Sequence, residues 1–205
     1  YFGIASSRPR LELDPIAADV AAADQAIARL GLKDGRPFVV AHPTSRWLFK
    51  CWDDERFAAL VDWLQWDRKL PVILTCGPNE RELARARRVL EFCSSKPKTL
   101  FGELSLTQWA ALVKKARLFI GVDSAPMHIA ASQETPTLAF FGPTGFQNWR
   151  PWAVPHAVLV HDCPCSRGCR HDCDWTRPRA CLASITLEEA LAAVDDLLKQ
   201  PLSPS

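Results

Sequence analysis

Leu118-Phe119-Ile120-Gly121-Val122-Asp123-Ser124-Ala125-Pro126-Met127-His128 passes from an apolar run straight into a helix start. Three bulky apolar residues in a row suit a strand buried on both faces, and Pro126 suits a first helical turn, where its missing N–H is no loss. Asp123 or Ser124 can cap that helix, leaving its free N–H groups to meet a phosphate or sugar oxygen. His128 falls about one turn inside the helix. It is either a hydrogen-bonded structural residue or, this close to a strand end, part of a site.

The same strand, loop and helix rhythm extends in both directions. Upstream, residues 38–41 form a short apolar strand, and Asp53 or Asp54 caps a helix carrying Phe57, Leu60, Val61 and Leu64. Residues 70–75 form the next strand, a polar helix follows over about 79–92, and 99–101 is a short strand. Ser105 and Gln108 make a capping box for a helix to Lys115. An earlier helix is expected to start at an Asp14 cap with Pro15 in its first turn and to stop at Gly31. Downstream, 137–141 and 157–160 read as strands, and Thr186 to Glu189 is a second capping box opening an amphipathic C-terminal helix. This alternation predicts an α/β fold, a doubly wound parallel sheet covered on both faces.

The chain has 205 residues, 48% hydrophobic and 23% charged, which supports one good core and excludes a disordered polymer. A net charge of +2 gives no field that argues for nucleic acid. Arg85, Arg87 and Arg88 are assigned to the solvated face of a helix. No apolar run approaches the ~20 residues that cross a bilayer, and Tyr1-Phe2-Gly3-Ile4 lacks a signal pattern. The expectation is a soluble, cytoplasmic chain, cut from something longer because it lacks an initiator Met.

In open parallel sheets ligands bind beyond the carboxyl ends of the strands. Besides the opening stretch, three such loops stand out. The segment from His42 to Trp52 sets Thr44, Ser45, Arg46 and Lys50 between a strand and a helix start. Those groups suit a pyrophosphate, or the two hydroxyls simply satisfy local backbone. In Cys76-Gly77-Pro78-Asn79-Glu80 a tight turn places a carboxylate in a helix's first turn. Glu80 can accept ribose hydroxyls there, or only compensate the helix dipole. Phe141-Gly142-Pro143-Thr144-Gly145 permits close backbone approach, and Phe146, Trp149 and Trp152 behind it either line a rim or cover the core, the second being the expectation.

Asp123 to His128, followed by Thr137-Leu138-Ala139-Phe140-Phe141-Gly142-Pro143-Thr144, resembles the signature of glycosyltransferase family 9. Residues 42–52 resemble its heptosyltransferase III branch, and with 77–80 and 102–106 the likeness runs from about Arg36 to the final helix. The resemblance implies a Rossmann-like fold, the C-terminal, donor-binding half of a GT-B glycosyltransferase. Residues 36–205 would form that domain and 1–35 an interdomain segment with its helix, the N-terminal acceptor domain being largely absent. It implies a nucleotide-sugar donor, ADP-L-glycero-D-manno-heptose, and as acceptor a heptose of the lipopolysaccharide inner core. Thr44, Ser45 and Lys50, with Arg46 near, would hold the phosphates and Glu80 the ribose. Backbone near Leu104 would meet the adenine, and Asp123, Ser124 and Ala125 the phosphate and sugar end, with Asp123 facing sugar hydroxyls or backbone N–H groups. The catalytic base, an Asp, belongs to the family's N-terminal domain; His128 is the candidate here. No metal or cofactor is expected, and membrane association is at most peripheral, at the inner face of the inner membrane. Where the family usually has Gly, this chain has Ala125, which bears on donor binding if that position needs positive φ or touches ligand.

Cys163, Cys165, Cys169, Cys173 and Cys181, with His161 and His171, invite a zinc reading, yet no C-x-x-C pair occurs. Reduced cytosolic thiols are the reading adopted. Asp172-Cys173-Asp174 has the form D-x-D, away from any apolar strand, and is ascribed to chance. Competing functions are an epimerase-like GT-B enzyme using His128 and Asp123, a non-catalytic nucleotide-binding module, or an interaction domain docking through Trp47, Trp52, Trp149 and Trp152.

Overall fold

The computed structural model describes residues 11–32, 35–161 and 180–200. Along the chain come α1 (Ala17–Arg29), β1 (Val39–His42), a 3-10 turn (Leu48–Lys50), α2 (Asp54–Trp66), β2 (Val72–Cys76), α3 (Glu80–Phe92) and β3 (Lys98–Phe101). They are followed by α4 (Leu106–Lys114), β4 (Leu118–Val122), α5 (Ala125–Ser132), β5 (Thr137–Phe140), α6 (Phe146–Trp149), β6 (His156–Leu159), α7 (Ala180–Ala183) and α8 (Leu187–Lys199).

The six strands form one sheet in the order β3-β2-β1-β4-β5-β6, and every pairing is parallel. Successive side chains point to opposite faces, so a strand that is apolar throughout needs cover on both. Val39 and Ala41 join Trp52, Phe57, Leu60, Leu64, Leu74, Phe140 and Val194 in one core, under α2, α3 and α8. Val40 points the other way, into a core with Ile73, Phe119, Ala139, Phe141, Ala26 and Leu112, under α1, α4 and α5. Burying each such side chain stabilises the fold by about 1.5–3 kcal/mol.

Helix starts follow their caps. Asp53 accepts from the Arg56 N–H, Asn79 from Arg81, Ser105 from Gln108 and Thr186 from Glu189. The start of α1 differs from the expected Asp14 cap: the N-cap is Ile16, whose N–H donates to the Asp19 carboxylate. Pro15 therefore precedes the cap instead of filling the first turn. Gly31 ends α1 in the left-handed region with φ 73°.

Two further expectations are corrected by packing. Arg85 does not face solvent; its guanidinium turns inward to Asp54 at 2.6 Å and to the Trp52 carbonyl, leaving Arg87 and Arg88 exposed. Trp52 is no docking residue, because it stacks on Phe140 at 4.3 Å and donates its Nε1–H to the Ile185 carbonyl inside the core. Among the described residues no helix is long and apolar enough to cross a membrane.

Candidate functional site

The strand order reverses between β1 and β4: β2 and β3 lie to one side, β5 and β6 to the other. The loops leaving β1 and β4 therefore diverge and open a crevice at the carboxyl edge of the sheet, where ligands of such sheets sit. Register fixes its width, since His42 at the end of β1 pairs with Gly121 in β4.

Lys50 ends the 3-10 turn on one side of that crevice and Asp123 follows β4 on the other. Their side chains meet, with Nζ 2.7 Å from Oδ2, and are only 19% and 6% exposed. Thr144, in the loop after β5, donates its hydroxyl to the same carboxylate. Asp123 thus faces a cation and a hydroxyl of the protein. Ser124 is the N-cap of α5, but its hydroxyl donates back to the Val122 carbonyl and makes no capping bond. In the first turn of α5, Ala125 carries an N–H, Pro126 has none, and the Met127 N–H donates to the Ser124 carbonyl.

Ala125 occupies the first position of α5 and is absent from the residues with positive φ, so its methyl needs no left-handed backbone. His128 is half-buried, with its ring 6.2 Å from that of exposed Trp149. Burial lowers its pKa, the Asp123 charge opposes that shift, and Lys50 adds to it. Trp149 and Trp152 form an exposed rim instead of covering the core, whereas Phe146 does pack inward.

The loop after β1 also reaches the β2 side. Thr44 is fully buried and donates to Glu82 Oε2 at 3.0 Å, while Ser45 Oγ, also buried, accepts from the Trp47 N–H. Thr44 thus meets the side chains of Glu82 and His42, and only Ser45 serves a local backbone group. Arg46 is exposed.

Of the two carboxylates in the first turn of α3, Glu80 is exposed at the rim. Glu82 turns back over the β2 exit, where a Cβ added to Gly77 would lie 3.2 Å from both of its oxygens. Glu82 holds the third helical position after its Asn79 cap, the place from which an acidic side chain folds back over the preceding turn. The Asn-x-x-Glu spacing is the sequence signal for Glu82. On the far side, Gly102 takes φ 69° against Pro78, and Leu104 packs into the core beneath it.

Cys181 lies in the core at 1% exposure, and His161 bonds Ser184 and Glu189 at 2.9 Å each. Cys163, Cys165, Cys169, Cys173, His171 and the Asp172 to Asp174 motif fall outside the described residues. No cluster of three metal-ligating side chains occurs among the described ones.

A doubly wound parallel sheet, with a cation and a carboxylate meeting at its reversal point, defines a Rossmann-like α/β domain. The chain belongs to glycosyltransferase family 9 (heptosyltransferase), which it matches over residues 2–176. Lipopolysaccharide heptosyltransferase 3 of Escherichia coli strain K12 is 40% identical over 172 residues, 83% of this chain and 48% of that protein. Lipooligosaccharide heptosyltransferase 2 of Campylobacter jejuni serotype O:2 is 29% identical over 83% of this chain and 51% of its own length. Among solved structures, the family 9 glycosyl transferase of Veillonella parvula matches at TM-score 0.79 and 24% identity, over 92% of this chain and 53% of that one. The E. coli ADP-heptose lipopolysaccharide heptosyltransferase II matches at TM-score 0.71 and 21% identity, over 93% and 53%. The chain thus spans about half the length of the relatives it resembles.

Proposed function

We propose that this chain is the donor-binding half of a heptosyltransferase that moves heptose from ADP-L-glycero-D-manno-heptose to the lipopolysaccharide inner core. The observation that carries the reading is the Lys50–Asp123 pair across the reversal point, beside the uncapped end of α5. In this reading Lys50 and the positive end of the α5 dipole receive the diphosphate. Asp123, which repels phosphate, stays on the sugar side. Glu82 replaces Glu80 as acceptor for the ribose hydroxyls, and backbone near Leu104 lines the adenine.

Sugar transfer leaves ADP behind, with charge growing on the β-phosphate as the bond breaks. A preorganised ammonium and helix end lower that barrier because they need not reorient as the charge appears. The reading requires no metal, since these groups already supply positive charge. The base that activates the acceptor hydroxyl is assigned to the companion N-terminal domain of the longer relatives, and the complete enzyme to the cytoplasmic face of the inner membrane.

The test is calorimetric titration of ADP, GDP, UDP and CDP into the chain and its Lys50→Ala variant. Selective ADP binding that weakens about 10- to 100-fold in the variant, the loss of one or two charge-assisted hydrogen bonds, supports the reading. Indifference to every nucleotide sinks it.

A further inference from the structure

One buried titratable group has no part in the site described so far. His42 closes β1 at 4% exposure, its ring centroid 6.0 Å from that of Trp109 with the two planes nearly perpendicular. Its Nδ1 lies 2.9 Å from Thr75 Oγ1 and its Nε2 lies 3.3 Å from Thr44 Oγ1. Thr44 Oγ1 in turn is 3.0 Å from Glu82 Oε2.

The hydrogens along this line can be assigned, because each hydroxyl has one to give. Thr44 gives its hydrogen to the carboxylate, the stronger acceptor. For the ring to bond Thr44 as well, the imidazole carries its hydrogen on Nε2 and donates to Thr44. That leaves Nδ1 as acceptor for Thr75, whose alternative partner, the Ala41 carbonyl, is farther at 3.3 Å. Every hydrogen is used once in the order Thr75, His42, Thr44, Glu82. Burial pushes the His42 pKa down to about 3, so the ring stays neutral and the line keeps one direction at neutral pH.

We infer that His42 is a positioning residue for nucleotide recognition: by donating from Nε2 it fixes the Thr44 hydroxyl toward Glu82 and holds the Glu82 carboxylate over Gly77, toward the ribose diol. The inference rests on the donor-site reading above. Without the imidazole donor the Thr44 hydroxyl is free to turn to its other staggered positions, and the carboxylate loses its tether.

The experiment compares ADP with 2′,3′-dideoxy-ADP, which lacks both ribose hydroxyls, by calorimetry on the chain and on His42→Asn and His42→Gln. Asn reaches Thr75 but stops short of Thr44, whereas Gln sets an N–H near the position of Nε2. The unsubstituted chain is expected to favour ADP by about 10- to 100-fold, the loss of hydrogen bonds to a charged acceptor. That ratio should collapse toward one in His42→Asn and recover in His42→Gln. A merely structural role weakens both nucleotides together and leaves the ratio alone, so an unchanged ratio in His42→Asn overturns the inference while the donor site stands. No ADP binding by the unsubstituted chain overturns the donor-site reading itself, and a ratio of one there overturns the ribose assignment with the inference. Should His42→Asn fail to fold, Thr44→Val cuts the same link, and an unchanged ratio in it overturns the inference equally.

Discussion

Lys50 Nζ stands 2.7 Å from Asp123 Oδ2, tying the loop after β1 to the end of β4 across the line where the strand order turns round. The pair is mostly buried, so its members depend on each other more than surface ions do.

Removing one partner leaves the other desolvated and unpaired. Lys50→Met and Asp123→Asn should each lower stability by about 1.5–3 kcal/mol, and the double variant should lose less than the sum. Urea unfolding of the four proteins measures the coupling; strict additivity would show that the two do not interact in solution.

The two carboxylates of the first α3 turn should behave differently. Glu82→Gln is expected to weaken ADP about tenfold and to leave 2′,3′-dideoxy-ADP nearly unchanged, as one charge-assisted bond is lost. Glu80→Gln, exposed at the rim, should change neither. The reverse pattern in a binding titration would return the ribose to Glu80.

His42 makes stability depend on pH in a defined direction. Below pH about 6.5 the unfolded chain takes up a proton that the folded chain refuses until about pH 3, because burial disfavours the charged ring. Stability from this group is therefore complete above pH 6.5 and falls on acidification, by about 1.4 kcal/mol per pH unit. Unfolding titrations at pH 7, 6 and 5 should show that slope flattened in His42→Gln.

Two tryptophans of one loop should separate sharply. Trp52→Ala removes the ring stacked on Phe140 and should cost about 3–5 kcal/mol, whereas Trp47→Ala, on a side chain 59% exposed, should fall within about 0.5 kcal/mol. Thermal melts of both variants check this.

The fold could be read from the chain because the central strands are mostly apolar runs and four helices begin at a capping side chain. Where that grammar was ambiguous the reading slipped: Pro15 pointed to a start two residues early, and the cap fell on Ile16, which has no side-chain oxygen. The loops bearing the site were legible for the same reason, since they follow strand ends. Which side chains meet there was not. Lys50 and Asp123 are 73 positions apart, and no local pattern tells an ammonium to face that carboxylate. Arg85 looked like surface for a similar reason, because its buried partner Asp54 lies on another helix. Glu82 differed, as its spacing from Asn79 was visible and went unweighed.

The rung that pairs His42 with Gly121 has a consequence for how such a chain can diversify. The charged pair hangs from neighbouring central strands and inherits their stiffness, while the turns at Gly77 and Gly102 sit toward one margin of the sheet. On the proposed donor reading, drift in those outer turns would retune which base and ribose are admitted without disturbing the charged pair. That reading houses selectivity and the stabilisation of leaving-group charge in separately editable parts of one scaffold.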